Sequence, residues 1–186
     1  MQSAMWLILG GTVGLAALLD RHQHLQMSTT LGPPVQCGDI RLQLPAHWMV
    51  EYSDLGMITA RDPGIDPPWG RKTEVTTAPP AEHALIDQLL QRDNPGPPRA
   101  ITFGPAGSQA GSLYVWQANI DQDGQIHPFG RVVATTILPN GPEVTIRLEH
   151  LDLNEQAMDF DDDINLVRRI AATVQFAPTN NGPIQD

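Results

Sequence analysis

One cysteine, Cys37, is the only thiol in a chain of 186 residues, so no disulfide can form within it. Lysine is as scarce: Lys72 stands against ten arginines, and the 11 basic residues face 21 acidic ones for a formal charge of -10. With no basic patch, the electrostatic footprint of nucleic-acid binding is missing, and an anionic membrane surface would repel the body of the chain. Glycine-rich phosphate loops and dinucleotide fingerprints do not occur. Gly107-Ser108-Gln-Ala-Gly111 lacks the spacing of a nucleophile elbow and reads as a turn. No internal repeat is visible. What is abundant is punctuation: 17 Pro and 16 Gly imply many turns, while an apolar fraction of 41% is enough for one ordinary core.

The first residues depart from the rest. Met1–Leu19 carries no charged side chain, and from Met5 onward it is almost wholly apolar. As a helix, nineteen residues would span about 28 Å, close to the hydrocarbon thickness of a bilayer. The run reads as a membrane anchor, with Trp6 suited to the interface. A cleaved secretory signal and a buried helix are the alternatives; a basic n-region and a small-residue cleavage site are lacking. Residues 20–36 read as a linker, with Ser28-Thr29-Thr30 and Gly32-Pro33-Pro34 and no sustained periodicity. The globular domain is expected over 37–178 and a frayed tail over 179–186.

Within the domain, Ile40, Leu42 and Leu44 alternate with Asp39, Arg41 and Gln43, the period of a half-buried strand. Pro45 ends it, since proline cannot donate to a ladder. Trp48, Val50 and Tyr52 then restart on one face. Short strands follow at Gly56–Arg61 and Arg71–Thr77, and a helix is predicted from Pro79-Pro80 to about Arg92 on the spacing of Ala81, Leu85, Ile86 and Leu89. The second half is a meander: Ile101–Phe103, Leu113–Ile120, Arg131–Leu138, and a strand in which Val144, Ile146 and Leu148 alternate with Thr145, Arg147 and Glu149. A last helix starts at Asp161-Asp162-Asp163 and carries the stripe Ile164, Val167, Ile170, Ala171 and Val174, with the aspartates placed to favour its N-terminus. The expected class is α+β, an antiparallel sheet flanked by helices and preceded by an N-terminal hydrophobic helix.

The strand ending Leu44-Pro45-x-x-Trp48, the meander, and the terminal helix Ile164-Asn-Leu-Val-Arg-Arg-Ile-Ala-Ala-Thr-Val-Gln-Phe176 together resemble the PsbP-like fold family. That group includes an extrinsic photosystem II subunit, a Ran-binding nuclear factor and many anchored or exported bacterial domains. The resemblance spans about residues 37–178. It implies an α/β/α sandwich and binding rather than catalysis, and it carries no common catalytic set.

Residue by residue, chemistry is thinly supported. His22, His24, His47, His83, His127 and His150 are scattered. Asp121-x-Asp123-Gly124 echoes a calcium loop but lacks its later ligands, so a hairpin turn fits better. The run Glu149, Asp152, Glu155, Asp159, Asp161, Asp162 and Asp163 is explained by helix capping and solubility, with a divalent cation or a basic partner as the sharper alternative. Cys37 has no basic neighbour to activate it. No catalytic, cofactor-binding or metal-binding residue is therefore assigned. The most suggestive surface element is Trp69 after Pro67-Pro68, an aromatic on a stiffened loop and a candidate partner contact. The expected function is a membrane-tethered, non-enzymatic binding or accessory domain, attached through residues 1–19 and placed outside the cytoplasm. A secretion or assembly chaperone in the cytoplasm is the alternative. A hydrolase whose site converges only in space is the second.

Overall fold

The computed structural model describes residues 30–53, 56–63, 70–78, 95–122, 124–139, 141–151 and 160–176. Met1–Leu19, the helix expected from Pro79 to Arg92, and the loop holding Pro67, Pro68 and Trp69 lie outside them. Among the described residues, no helix is long and apolar enough to cross a membrane.

The described residues form ten strands in two sheets, with one α-helix. Strands β1 (Leu31–Cys37), β2 (Ile40–Pro45), β3 (Met49–Ser53), β4 (Met57–Arg61) and β5 (Gly70–Ala78) occupy the first half. Strands β6 (Arg99–Phe103), β7 (Gln109–Gln122), β8 (Gln125–Ile137) and β9 (Glu143–Leu151) are followed by α1 (Phe160–Ala172) and β10 (Gln175–Phe176). The larger sheet has seven strands in the order β3-β4-β5-β9-β8-β7-β6, and the smaller runs β1-β2-β10. Every pairing among them is antiparallel. The class is thus a sheet-rich α+β fold.

The β2 alternation holds: Ile40, Leu42 and Leu44 are buried and Arg41 is exposed. After Pro45 the chain folds back in a turn closed by Trp48 N–H donating to the Pro45 carbonyl at 3.1 Å. Trp48 enters the core at 5% exposure, whereas Tyr52, expected on the same face, is 66% exposed. The expected linker ends sooner than 36, because Leu31–Gln36 belong to β1. Two prolines hid that strand. They are tolerated because β1 is an edge, and the register slips between Leu31 and Pro34 where proline has no N–H to give.

One face of the large sheet holds the core. The small sheet and α1 share the work of covering it: Ile40, Leu42 and Leu44 of β2 and Ile164, Leu166, Val167, Ile170 and Ala171 of α1 join Ile58, Val75, Ile146 and Leu148 beneath them in one cluster. The C-terminal end of α1 ties both layers together. Its Ala171 carbonyl accepts from Gly104 N–H at 2.9 Å and Val174 N–H at 3.2 Å. Thr173 donates its hydroxyl to the Ile170 carbonyl at 2.7 Å and accepts from Gln43 N–H of β2 at 2.8 Å. Gly104 reaches this position with φ 77°, a left-handed conformation that favours glycine.

Candidate functional site

Three residues that are remote or unremarkable in sequence meet where α1 starts. Arg71 near the start of β5 is paired across the sheet with His150 of β9, and His150 in turn with Gly130 of β8. Paired residues share a face, so these three form a row on the core side. The first turn of α1 sits on that row. Asp163 is buried with 1% of its side chain exposed, its Oδ1 2.8 Å from Arg71 Nε and its Oδ2 2.9 Å from His150 Nδ1. The arginine contact is a charge pairing, since Nε–H is not aimed along it. Phe160, three residues earlier and so on the same helix face, rests on Gly130, where a Cβ would come within 2.0 Å of its ring. The N-terminal end of the helix is thereby fixed by a carboxylate clamp on one side and a ring seated on bare backbone on the other.

This arrangement corrects the reading of the acidic run. Asp161 and Asp162 are exposed at the helix start as expected, but Asp163 turns inward. Neither Arg71 nor His150 carried a signal for this. His150 follows an alternating strand with nothing beside it in sequence to mark a partner, and Arg71 belongs to a strand of the first half.

The opposite face of the large sheet carries a chain of ion pairs. Arg147 and Glu149 of β9 lie between Glu74 of β5 and Arg131 of β8. Glu74 meets Arg147 at 2.8 Å, Arg131 meets Glu149 at 2.9 Å, and a longer 3.7 Å contact joins Arg147 to Glu149. A separate pair, Arg61 with Glu51, closes at 2.8 Å across β4 and β3. Aromatics border the chain. Tyr114 and Trp116 alternate on β7 with ring centroids 6.2 Å apart, and the Arg131 guanidinium stands 5.3 Å over the Phe129 ring.

The other sequence candidates resolve differently. Cys37 is buried, its Sγ 3.0 Å from the Gly56 carbonyl and 3.5 Å from that of Val75. Burial dominates over its hydrogen bonds and pushes the thiol up to about 11. Val75 is four residues along β5 from Arg71, roughly 13 Å at strand rise, so thiol and imidazole occupy different parts of the core. Gly124 N–H donates to Asp121 Oδ1 at 3.1 Å, an Asx-type closure of the β7–β8 hairpin. Glu149 and Asp163 of the acidic run are held in the ion pairs above, while Asp152, Glu155 and Asp159 lie outside the described residues. Among the described residues, no group of three His, Cys, Asp or Glu side chains is arranged to hold a metal ion. Trp69, Pro67 and Pro68 lie outside the described residues.

No protein-family model matches the chain, and no curated protein matches it. Solved structures do. A point mutant of the protein Mog1 is similar with TM-score 0.52 and 12% identity, over 81% of this chain and 97% of that one. A protein from Bacteroides thetaiotaomicron gives TM-score 0.46 and 9% identity over 78% of this chain and 47% of its own. LpqN of Mycobacterium tuberculosis, involved in cell envelope biogenesis, gives TM-score 0.41 and 18% identity over 78% and 90%. The Mog1 likeness, at this identity, establishes a shared fold.

Proposed function

We propose that this chain is a PsbP-like domain held at a membrane by Met1–Leu19 and working there, outside the cytoplasm, as a non-enzymatic binding module. The observation that carries the tether is the uncharged nineteen-residue run, followed by polar sequence up to a body whose first strand begins at Leu31. Supporting a binding role, the ionisable clusters of the described residues have structural partners: Asp163 is shut from solvent with both oxygens engaged, whereas a general acid or base must reach a substrate. The mechanism is scaffolding. A tether raises the local concentration of whatever the body contacts, and the residues after the run give it reach. The Trp69 loop with Pro67 and Pro68 would be one contact.

Fractionation tests the tether. The full-length protein should sediment with membranes, resist alkaline carbonate and be released by detergent; recovery in the soluble fraction without detergent overturns it. A reporter fused after Asp186 reads the side: activity confined to the cytoplasm would favour the secretion-chaperone alternative. Trp69→Ala should weaken partner capture with an unchanged melting temperature. A variant that melts early and binds normally removes Trp69 from the contact.

A further inference from the structure

We propose that the outer edge of β6, unpaired among the described residues, together with the outer side of α1, docks an acidic, extended segment of a partner protein as an added strand. The inference rests on the reading of the chain as a binding module and names the chemistry of what it binds.

Among the described residues β6 is the outermost strand of the large sheet, paired with β7 alone. Its remaining backbone groups point away from the sheet, a template for another strand. Five residues give it a length of about 17 Å. Ile101 and Phe103 are buried, whereas Arg99, Ala100 and Thr102 are exposed. Beside this edge lies a cleft of about 310 Å³ lined by Ala100, Ile101 and Thr102 of β6 and Arg168 and Ala172 of α1. It has a small-residue, apolar floor with a cation at its wall. By the strand alternation, Arg99 shares the face of Ile101, the side on which α1 packs.

Charge selects the occupant. Arg61, Arg71, Arg131 and Arg147 are ion-paired. Arg99, Arg168 and Arg169 are exposed and have no carboxylate partner among the described residues. In a chain of net charge -10, Arg168 sets an exposed guanidinium on the wall of this cleft, and Arg99 precedes the cleft's Ala100 on β6, which gives the edge a local positive rim. Screening over about 8 Å at physiological ionic strength lets that rim act apart from distant acid. An extended segment alternating acidic and small apolar residues matches it: main-chain hydrogen bonds to β6, one side chain in the cleft, and carboxylates on the rim.

The probe is a fluorescein-labelled peptide of repeated Val-Glu, titrated against the full-length protein in detergent and read by anisotropy. Saturable binding is expected, with amide shifts confined to Arg99–Phe103 and the outer side of α1. Arg99→Glu with Arg168→Glu should weaken it at least about tenfold. Arg41→Glu with Lys72→Glu, which shifts the net charge equally at exposed sites elsewhere, should leave it unchanged. N-methylation of alternate residues of the peptide should abolish binding, because strand addition needs its N–H groups. Absence of binding, equal binding by the two double variants, or tolerance of N-methylation overturns the proposal. So does a concentration-dependent dimer whose shifts map to β6, which would make a second copy the occupant. None of these results touches the fractionation test, so docking and tether can fail separately.

Discussion

The clamp at the start of α1 gives the sharpest energetic test. Asp163→Ala removes a fully buried carboxylate and leaves Arg71, with 13% of its side chain exposed, as an uncompensated cation under the helix. Breaking one side of such a pair costs about 3–5 kcal/mol. For a chain of this size that corresponds to a fall in melting temperature of about 6–20 °C. The paired replacement Arg71→Met with Asp163→Leu should recover most of the loss, because it removes the desolvation of both charges rather than stranding one. Urea unfolding followed by tryptophan fluorescence, alongside thermal melts, compares the unsubstituted chain, Arg71→Met, Asp163→Leu and the double variant, the four corners of the cycle, with Asp163→Ala measured beside them. A loss below about 0.5 kcal/mol for Asp163→Ala would place it in the range of ordinary surface substitutions and refute the burial argument. A double variant as unstable as the two single losses added together would refute the desolvation argument.

Glu149→Gln cuts the ion pairs to Arg131 and Arg147 on a face where these side chains are 20–27% exposed; it should cost at most about 1 kcal/mol and less in high salt, as read by urea unfolding at two ionic strengths. Gly130→Ala drives a Cβ into the Phe160 ring and should destabilise by about 1–3 kcal/mol, and thermal melts should show Phe160→Ala adding little further loss on that background. Cys37, raised from 9.0 to about 11 by burial, should resist alkylation in the native state and react promptly in denaturant, as mass spectrometry would record. Its proton is held more tightly by the folded chain, so its contribution to stability is complete below pH 9 and is lost as pH rises towards 11. Cys37→Ala should flatten that alkaline fall in a pH series of melts. Trp48→Ala, at 5% exposure, should cost about 3–5 kcal/mol by urea unfolding.

Where one face of an element is buried, its period is written in the residues, and the sequence could be read. Val144, Ile146 and Leu148 announce β9, and Ile164, Val167 and Ile170 announce α1, since a strand and a helix repeat at two and near four. Strand β1 was illegible because Pro33 and Pro34 argue against a strand, and only its edge position makes them harmless. The clamp was illegible for another reason. Asp163 sits among aspartates that suit a helix start, and what draws it inward is a guanidinium brought near by sheet pairing rather than by sequence. The rim of Arg99 and Arg168 belongs to the same kind: two solvent-type residues whose common address exists only once α1 lies along β6.

The smaller sheet joins strands from the two extremes of the described residues, with Cys37 and Phe176 both registered to Ile40 from opposite sides. Synthesis is vectorial, so the ribosome delivers β2 long before the residues that flank and cover it. Until Phe160–Ala172 and then Gln175–Phe176 emerge, Ile40, Leu42 and Leu44 lack first the helix that packs on them and then their last neighbour. A nascent chain stalled short of that point would display a greasy, half-paired strand, and chaperones and proteases recognise such strands. The covering of β2 is therefore completed only by the last of the described residues to be made.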